Sequence, residues 1–159
     1  MASTLSSATM TVRIVESIKL NGTEQGAINT KTISSIAEIS KRIITVTVTE
    51  STIATFSSAV ASAGHYVAAD VRYMRFTNKD DTNFITLTFR NQDNDEVAIK
   101  LDAGQSFIWN GDNSNGVAAV FNATQDADAA SDTAFGSLTN IQADANSGSC
   151  DLEMFIASV

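Results

Sequence analysis

The sequence predicts an all-β fold, a single antiparallel β-sandwich of jelly-roll type with an extended N-terminal arm. Three observations carry this. Apolar and polar residues alternate with period two in one segment after another, which is the pattern of a strand with one buried face. Short runs of Asn, Asp, Gly and Ser, residues that tolerate tight bends, separate these segments. Thr and Val, which suit pleated and half-buried surfaces, are frequent, while proline is absent.

Taken in order, residues 1–9 are small and polar around Leu5 and read as an arm that becomes ordered against a neighbouring subunit. Ser3, Thr4, Leu5, Ser6 and Thr9 are its candidate partner contacts. The sandwich domain then spans residues 10–159. Met10, Val12, Ile14, Ile18 and Leu20 form an alternating segment that ends at Asn21-Gly22, a pair favoured in tight hairpin turns. Residues 23–32 are polar and read as loop. Ile33, Ile36 and Ile39 recur at helical spacing ahead of Lys41-Arg42, which predicts one or two turns of helix. Ile44, Val46 and Val48 alternate with a threonine ladder in the purest strand pattern of the chain, and a short strand at Ile53–Phe56 precedes a small-residue loop, Ser57–Gly64.

The central stretch, Asp70–Asn110, reads as four short strands in an antiparallel meander with one greasy face, which needs a second sheet to cover it. Ile85, Leu87, Phe89, Val97, Ile99 and Leu101 are its predicted core. Val117–Phe121 flanks the turn after Trp109. The Ala- and Asp-rich segment Asn122–Phe135 lacks a period and reads as a long surface loop. Leu138 to Ala143 makes a weaker strand. The last strand puts Cys150, Leu152, Met154 and Ile156 on one face.

At 159 residues the chain can bury one proper core and is expected to form one such domain. A net charge of −8 without a basic run argues against nucleic acid and against anionic membranes as partners. No apolar run approaches the roughly 20 residues of a membrane-spanning helix. MASTLSSATM has neither the basic region nor the apolar core of a signal peptide. Cys150 is the single cysteine, so an internal disulfide and a cysteine-based zinc site are both excluded.

The residues that could carry chemistry have commoner roles. His65 is the single histidine, and no Gly-x-Ser-x-Gly elbow singles out a serine to pair with it; a loop histidine beside Tyr66 is the simpler reading. Asp80-Asp81 and Asp93-x-Asp95-Glu96 offer oxygen ligands for calcium, but neither matches the twelve-residue calcium loop, and acidic hairpin turns are usually only turns. Phe107 and Trp109 share strand parity, which suits a core face better than a sugar platform. Cys150 reads as a buried small hydrophobe. The expectation is therefore no catalytic residue, no metal ligand and no cofactor.

Four segments carry a resemblance: Lys41-Arg-Ile-Ile-Thr-Val-Thr-Val48, Val71-Arg-Tyr-Met-Arg-Phe-Thr-Asn78 with Asn83 after the acidic turn, Leu101-Asp-Ala-Gly-Gln-Ser-Phe107, and Asp151-Leu-Glu-Met-Phe-Ile-Ala-Ser158. From about residue 40 onward the chain resembles the small all-β virion structural proteins of tailed bacteriophages, especially those infecting marine cyanobacteria. The resemblance lies in strand and turn style and transfers no functional residue. It implies a non-enzymatic virion component assembled in the host cytoplasm, with a capsid decoration (cement) protein leading. The implied partners are further copies of itself, as a trimer, and the major capsid or other virion proteins. The alternative is a neck, tail or fibre subunit, with a receptor- or glycan-binding module as one form of it.

Overall fold

The computed structural model describes residues 6–109, 116–119 and 138–159. These form an all-β protein built mainly from antiparallel sheets. In chain order the strands are β1 (Ala8–Val15), β2 (Lys19–Leu20), β3 (Thr23–Glu24), β4 (Ile28–Ile36), β5 (Glu38–Thr47), β6 (Ser51–Ser57), β7 (His65–Val67), β8 (Val71–Asn78), β9 (Ile85–Asn91), β10 (Glu96–Leu101), β11 (Ser106–Trp109), β12 (Leu138–Ala145) and β13 (Ser149–Ser158). A short 3-10 turn, Gly116–Ala119, lies against the body through a hydrogen bond from Val117 N to Ala68 O (2.9 Å).

Two sheets share the main core. One has the order β10-β9-β12-β6-β7 and the other β11-β8-β13-β5. Alternation puts Ile85, Leu87 and Phe89 of the first sheet against Met74, Phe76, Leu152, Met154 and Ile156 of the second, in one buried cluster. The arrangement is sandwich-like. Of the predicted core, Val46, Ile85, Leu87, Phe89, Leu101, Leu152, Met154 and Ile156 are buried, and Ile44, Val97 and Ile99 pack partly against the cluster. Val48 is 57% exposed, because β5 ends at Thr47 and the following residues turn into β6.

The central stretch is not a meander. β8 pairs with β13 and β11, while β9 pairs with β10 and β12. The acidic turn after Asn78 thus carries the chain from one sheet to the other. Of the four strands, β9 and β10 alone are hairpin neighbours. Alternation reveals that a strand has a buried face but does not name its partner.

The region before β5 also differs from expectation. β1 and β4 form a hairpin registered from Ala8↔Ile36 to Val15↔Ile28, so residues read as loop and as helix are strand. The alternating segment itself breaks after Val15, and Lys19–Leu20 pairs with Thr23–Glu24 as a small ladder at the tip. The tip turn is Asn21-Gly22, with φ of 49° and 81°, as the sequence predicts.

The helical spacing has a specific origin. Between Met10↔Ile33 and Ala8↔Ile36 the register shifts, with two residues of β4 facing one of β1, and Ser35 adopts φ of 62°. This bulge changes the strand phase, so Ile33 and Ile36 both turn inward although they are three residues apart. They bury with Tyr73 and Ala157 in a second, smaller core, against which Met10, Val12 and Phe155 pack. The root of the hairpin therefore lies on the outer face of the β11-β8-β13-β5 sheet. Ala37 alone separates β4 from β5, and its N–H donates to Ser158 O (2.9 Å).

Candidate functional site

The hairpin changes character along its length. Near its root the apolar side chains are buried. Beyond it Val15, Ile18, Leu20 and Ile28 are 57, 55, 62 and 58% exposed, an unusual density of large apolar groups for a two-stranded element. A groove of about 380 Å³ runs along β1, bounded by Met10, Val12 and Ile14 on one side and by Tyr73, Ile108 and Phe155 on the other. Tyr73 and Phe155 form its floor in an edge-to-face pair with centroids 5.8 Å apart. Burial pushes the Tyr73 phenol above its ordinary value, against the opposing pull of Arg75. Arg75 is hydrogen-bonded to Glu153, whose carboxyl is thereby held below its usual range; Lys41 stands 3.9 Å from the same carboxylate.

Ser3, Thr4 and Leu5 lie outside the described residues. Ser6 is exposed ahead of β1, and Thr9 is an exposed residue within β1, opposite the bulge. The β1–β4 hairpin is a separate long outward element, and it is the arm meant below. Its signal in the sequence was Asn21-Gly22 with apolar residues on both sides; the polar composition of residues 23–32 hid the returning strand.

The other candidates are accounted for by local structure. His65 opens β7, paired in parallel with Thr55, while Tyr66 is buried on the opposite face against the ring of Phe56 (5.8 Å). Histidine and tyrosine are consecutive strand residues, so they point apart instead of stacking. The acidic turns use their own oxygens. Asp80 Oδ1 accepts from Asn83 N (2.6 Å) and Thr82 N (2.8 Å), and these backbone donors lower its carboxyl pKa. Asp95 Oδ2 accepts from Asn91 Nδ2 (3.0 Å). Among the described residues no three His, Cys, Asp or Glu side chains come together as a metal cage. Phe107 and Trp109 pack partly against the main core, and Phe107 meets Phe89 across the two sheets at 5.1 Å.

Cys150 is buried beneath the acidic turn, and desolvation, reinforced by the Asp80 carboxylate, raises its thiol pKa. A shielded thiol with a suppressed thiolate is expected to resist a disulfide reagent in the native protein and to react at once in denaturant. Rapid native labelling in an absorbance assay would contradict this burial.

Comparisons with protein-family models, with curated proteins and with solved structures returned no match.

Proposed function

We propose that this chain is a non-enzymatic structural protein of a virus particle, specifically a decoration or cement protein on the head of a tailed phage that works as a homotrimer. The observation that carries the assembly reading is the β1–β4 hairpin. A two-stranded ribbon is marginal in water by itself, and one with four large apolar groups exposed at its outer half gains stability when another surface covers it. Charge favours a second copy as that surface. Residues 8–36 carry Arg13, Lys19 and Lys31 against Glu16 and Glu24, a net +1 within a chain of −8, so the remainder carries −9. Body-to-body approach is repulsive, and arm-to-body approach is attractive.

Strand order supports the jelly-roll reading. Lettered B to I in chain order, β5, β6 and β8 to β13 give G-D-I-B in one sheet and F-E-H-C in the other, with β7 added outside β6. Jelly rolls recur in viral shells but also in other proteins, so the virion assignment rests on the resemblance together with the arm. An arm that reaches a neighbour makes a head-to-tail contact, which closes into a ring when the rotation permits.

The test has two parts. Light scattering of the purified chain is expected to give three times the 16.8 kDa of one copy. Lysine at Val15, Leu20 and Ile28 together should reduce this to a single copy without changing the melting of the body. A monomeric wild type, or a variant that keeps its mass, sinks the arm contact. Quantitative mass spectrometry of purified particles should find the chain in hundreds of copies per head. A handful would move it to neck, tail or fibre, and none would end the virion reading.

A further inference from the structure

We infer that the pocket around Arg42 binds a small oxyanion, a carboxylate or phosphate group, through the arginine fork. This is independent of the arm. β7 covers β6 from Thr55 to Ser57, which leaves the Thr52–Ala54 edge of β6 open on that side. Arg42 reaches this gap from β5, and its Nη2 donates to Ile53 O (2.7 Å). The side chain stands between the two sheets at their open margin, where Ser40, its neighbour two residues back along β5, is hydrogen-bonded to Tyr66 Oη (2.9 Å). Arg42 takes part in none of the ion pairs among the described residues, which join Lys41 and Arg75 to Glu153, Arg90 to Glu96, and Lys100 to Asp102. Its Nε is shielded from solvent and has no hydrogen-bond partner.

A half-buried guanidinium without counter-charge, and with one N–H idle, is an expensive arrangement. The surroundings leave room for what is missing. A cavity of about 300 Å³ is lined by Arg42, Thr52, Thr55, Gly64 and His65, with no carboxylate in the lining. Gly64 has φ of 85°, and a Cβ there would lie 3.0 Å from Arg42 Nη2, so any larger residue would press on the guanidinium. The pocket has cationic and hydroxyl character, and a planar fork matches the paired oxygens of a carboxylate or phosphate. An oxyanion seated there neutralises Arg42 and meets the η-nitrogens of its fork, which lie beside Gly64 in the lining.

The experiment is thermal melting of the full chain in phosphate, in acetate and in chloride at matched pH and ionic strength. A native-state ligand raises the melting temperature in a saturable way. The expected result is a rise with phosphate or acetate over chloride, and Arg42→Gln should weaken the response by about tenfold or more. A response to acetate alone narrows the ligand to carboxylates, and one to phosphate alone narrows it to phosphates. Equal melting in all three salts, or an undiminished response in Arg42→Gln, overturns the site. Because Arg42→Gln also loses the bond to Ile53 O, amide shifts of the wild type are followed under phosphate and acetate titration. Perturbations centred on Thr52–Thr55 and Ala63–His65 support the pocket. Perturbations elsewhere, or none, overturn it.

Discussion

Truncating Phe89 to alanine is expected to remove about 3–5 kcal/mol of folding stability, the usual cost of deleting a buried aromatic ring. Phe89 is fully buried on β9, between Val97 of β10 and Ile141 of β12, and its ring meets Phe107 of the opposite sheet. It therefore holds both sheets at once. The strand neighbours are fixed by ladder hydrogen bonds and can collapse only partly into the vacancy. Against a total stability of typically 5–15 kcal/mol, such a loss leaves the fold marginal. Urea denaturation should show a large fall in midpoint at unchanged slope. A shift below about 1 kcal/mol would mean that the two faces do not meet as described.

The second large effect is expected at Asn78, a polar residue with no exposed surface. Its Nδ2 donates to Asn83 O (2.8 Å) and to Leu101 O (3.1 Å), and its Oδ1 accepts from Asp80 N (3.0 Å). These bonds join the end of β8 to the acidic turn and to the end of β10 in the other sheet. Asn78→Leu keeps the volume and strands three backbone groups, each worth about 1–3 kcal/mol when buried and unpaired, so a loss of about 3 kcal/mol or more is expected. Asn78→Asp is the diagnostic variant. It keeps the acceptor but faces two carbonyl oxygens with a carboxylate, which raises the folded-state pKa of the new group. A raised carboxyl pKa means that stability is lost at neutral pH and recovered as pH falls through that value, when the protonated acid can donate again. A variant whose denaturation midpoint shows no such recovery would exclude the role given to Nδ2.

Both residues illustrate what the sequence could reveal. Phe89, Leu87 and Ile85 announce their burial by period two, and so do Leu152, Met154 and Ile156, because a strand with one wet face must alternate. Asn78 announces nothing, since its partners are backbone carbonyls whose nearness depends on how strands are shared between sheets. The same ignorance turned β8 to β11 into a meander. At Ile33, Ile36 and Ile39 the local pattern was misleading for a physical reason: the bulge at Ser35 resets the strand phase so that Ile33 and Ile36 imitate a helical step, while Ile39 lies on β5 and is 58% exposed. The β1–β4 hairpin was half legible, through Asn21-Gly22. The Arg42 pocket was not legible at all, because it is assembled from β5, β6 and the start of β7, and only the paired sheets bring these together.

The single-residue joint at Ala37 has a mechanical consequence. Along the chain a pull on the hairpin enters the body at Ala37, whose N–H is fastened to Ser158 O, and passes next to the Glu38↔Ser158 end of the β5–β13 ladder. That ladder runs ten register pairs, to Thr47↔Ser149, and β13 is itself flanked by β8 on its other side. Tension on the hairpin therefore enters the edge strand β5 and passes through this ladder to the interior strand β13, with no slack loop to absorb it.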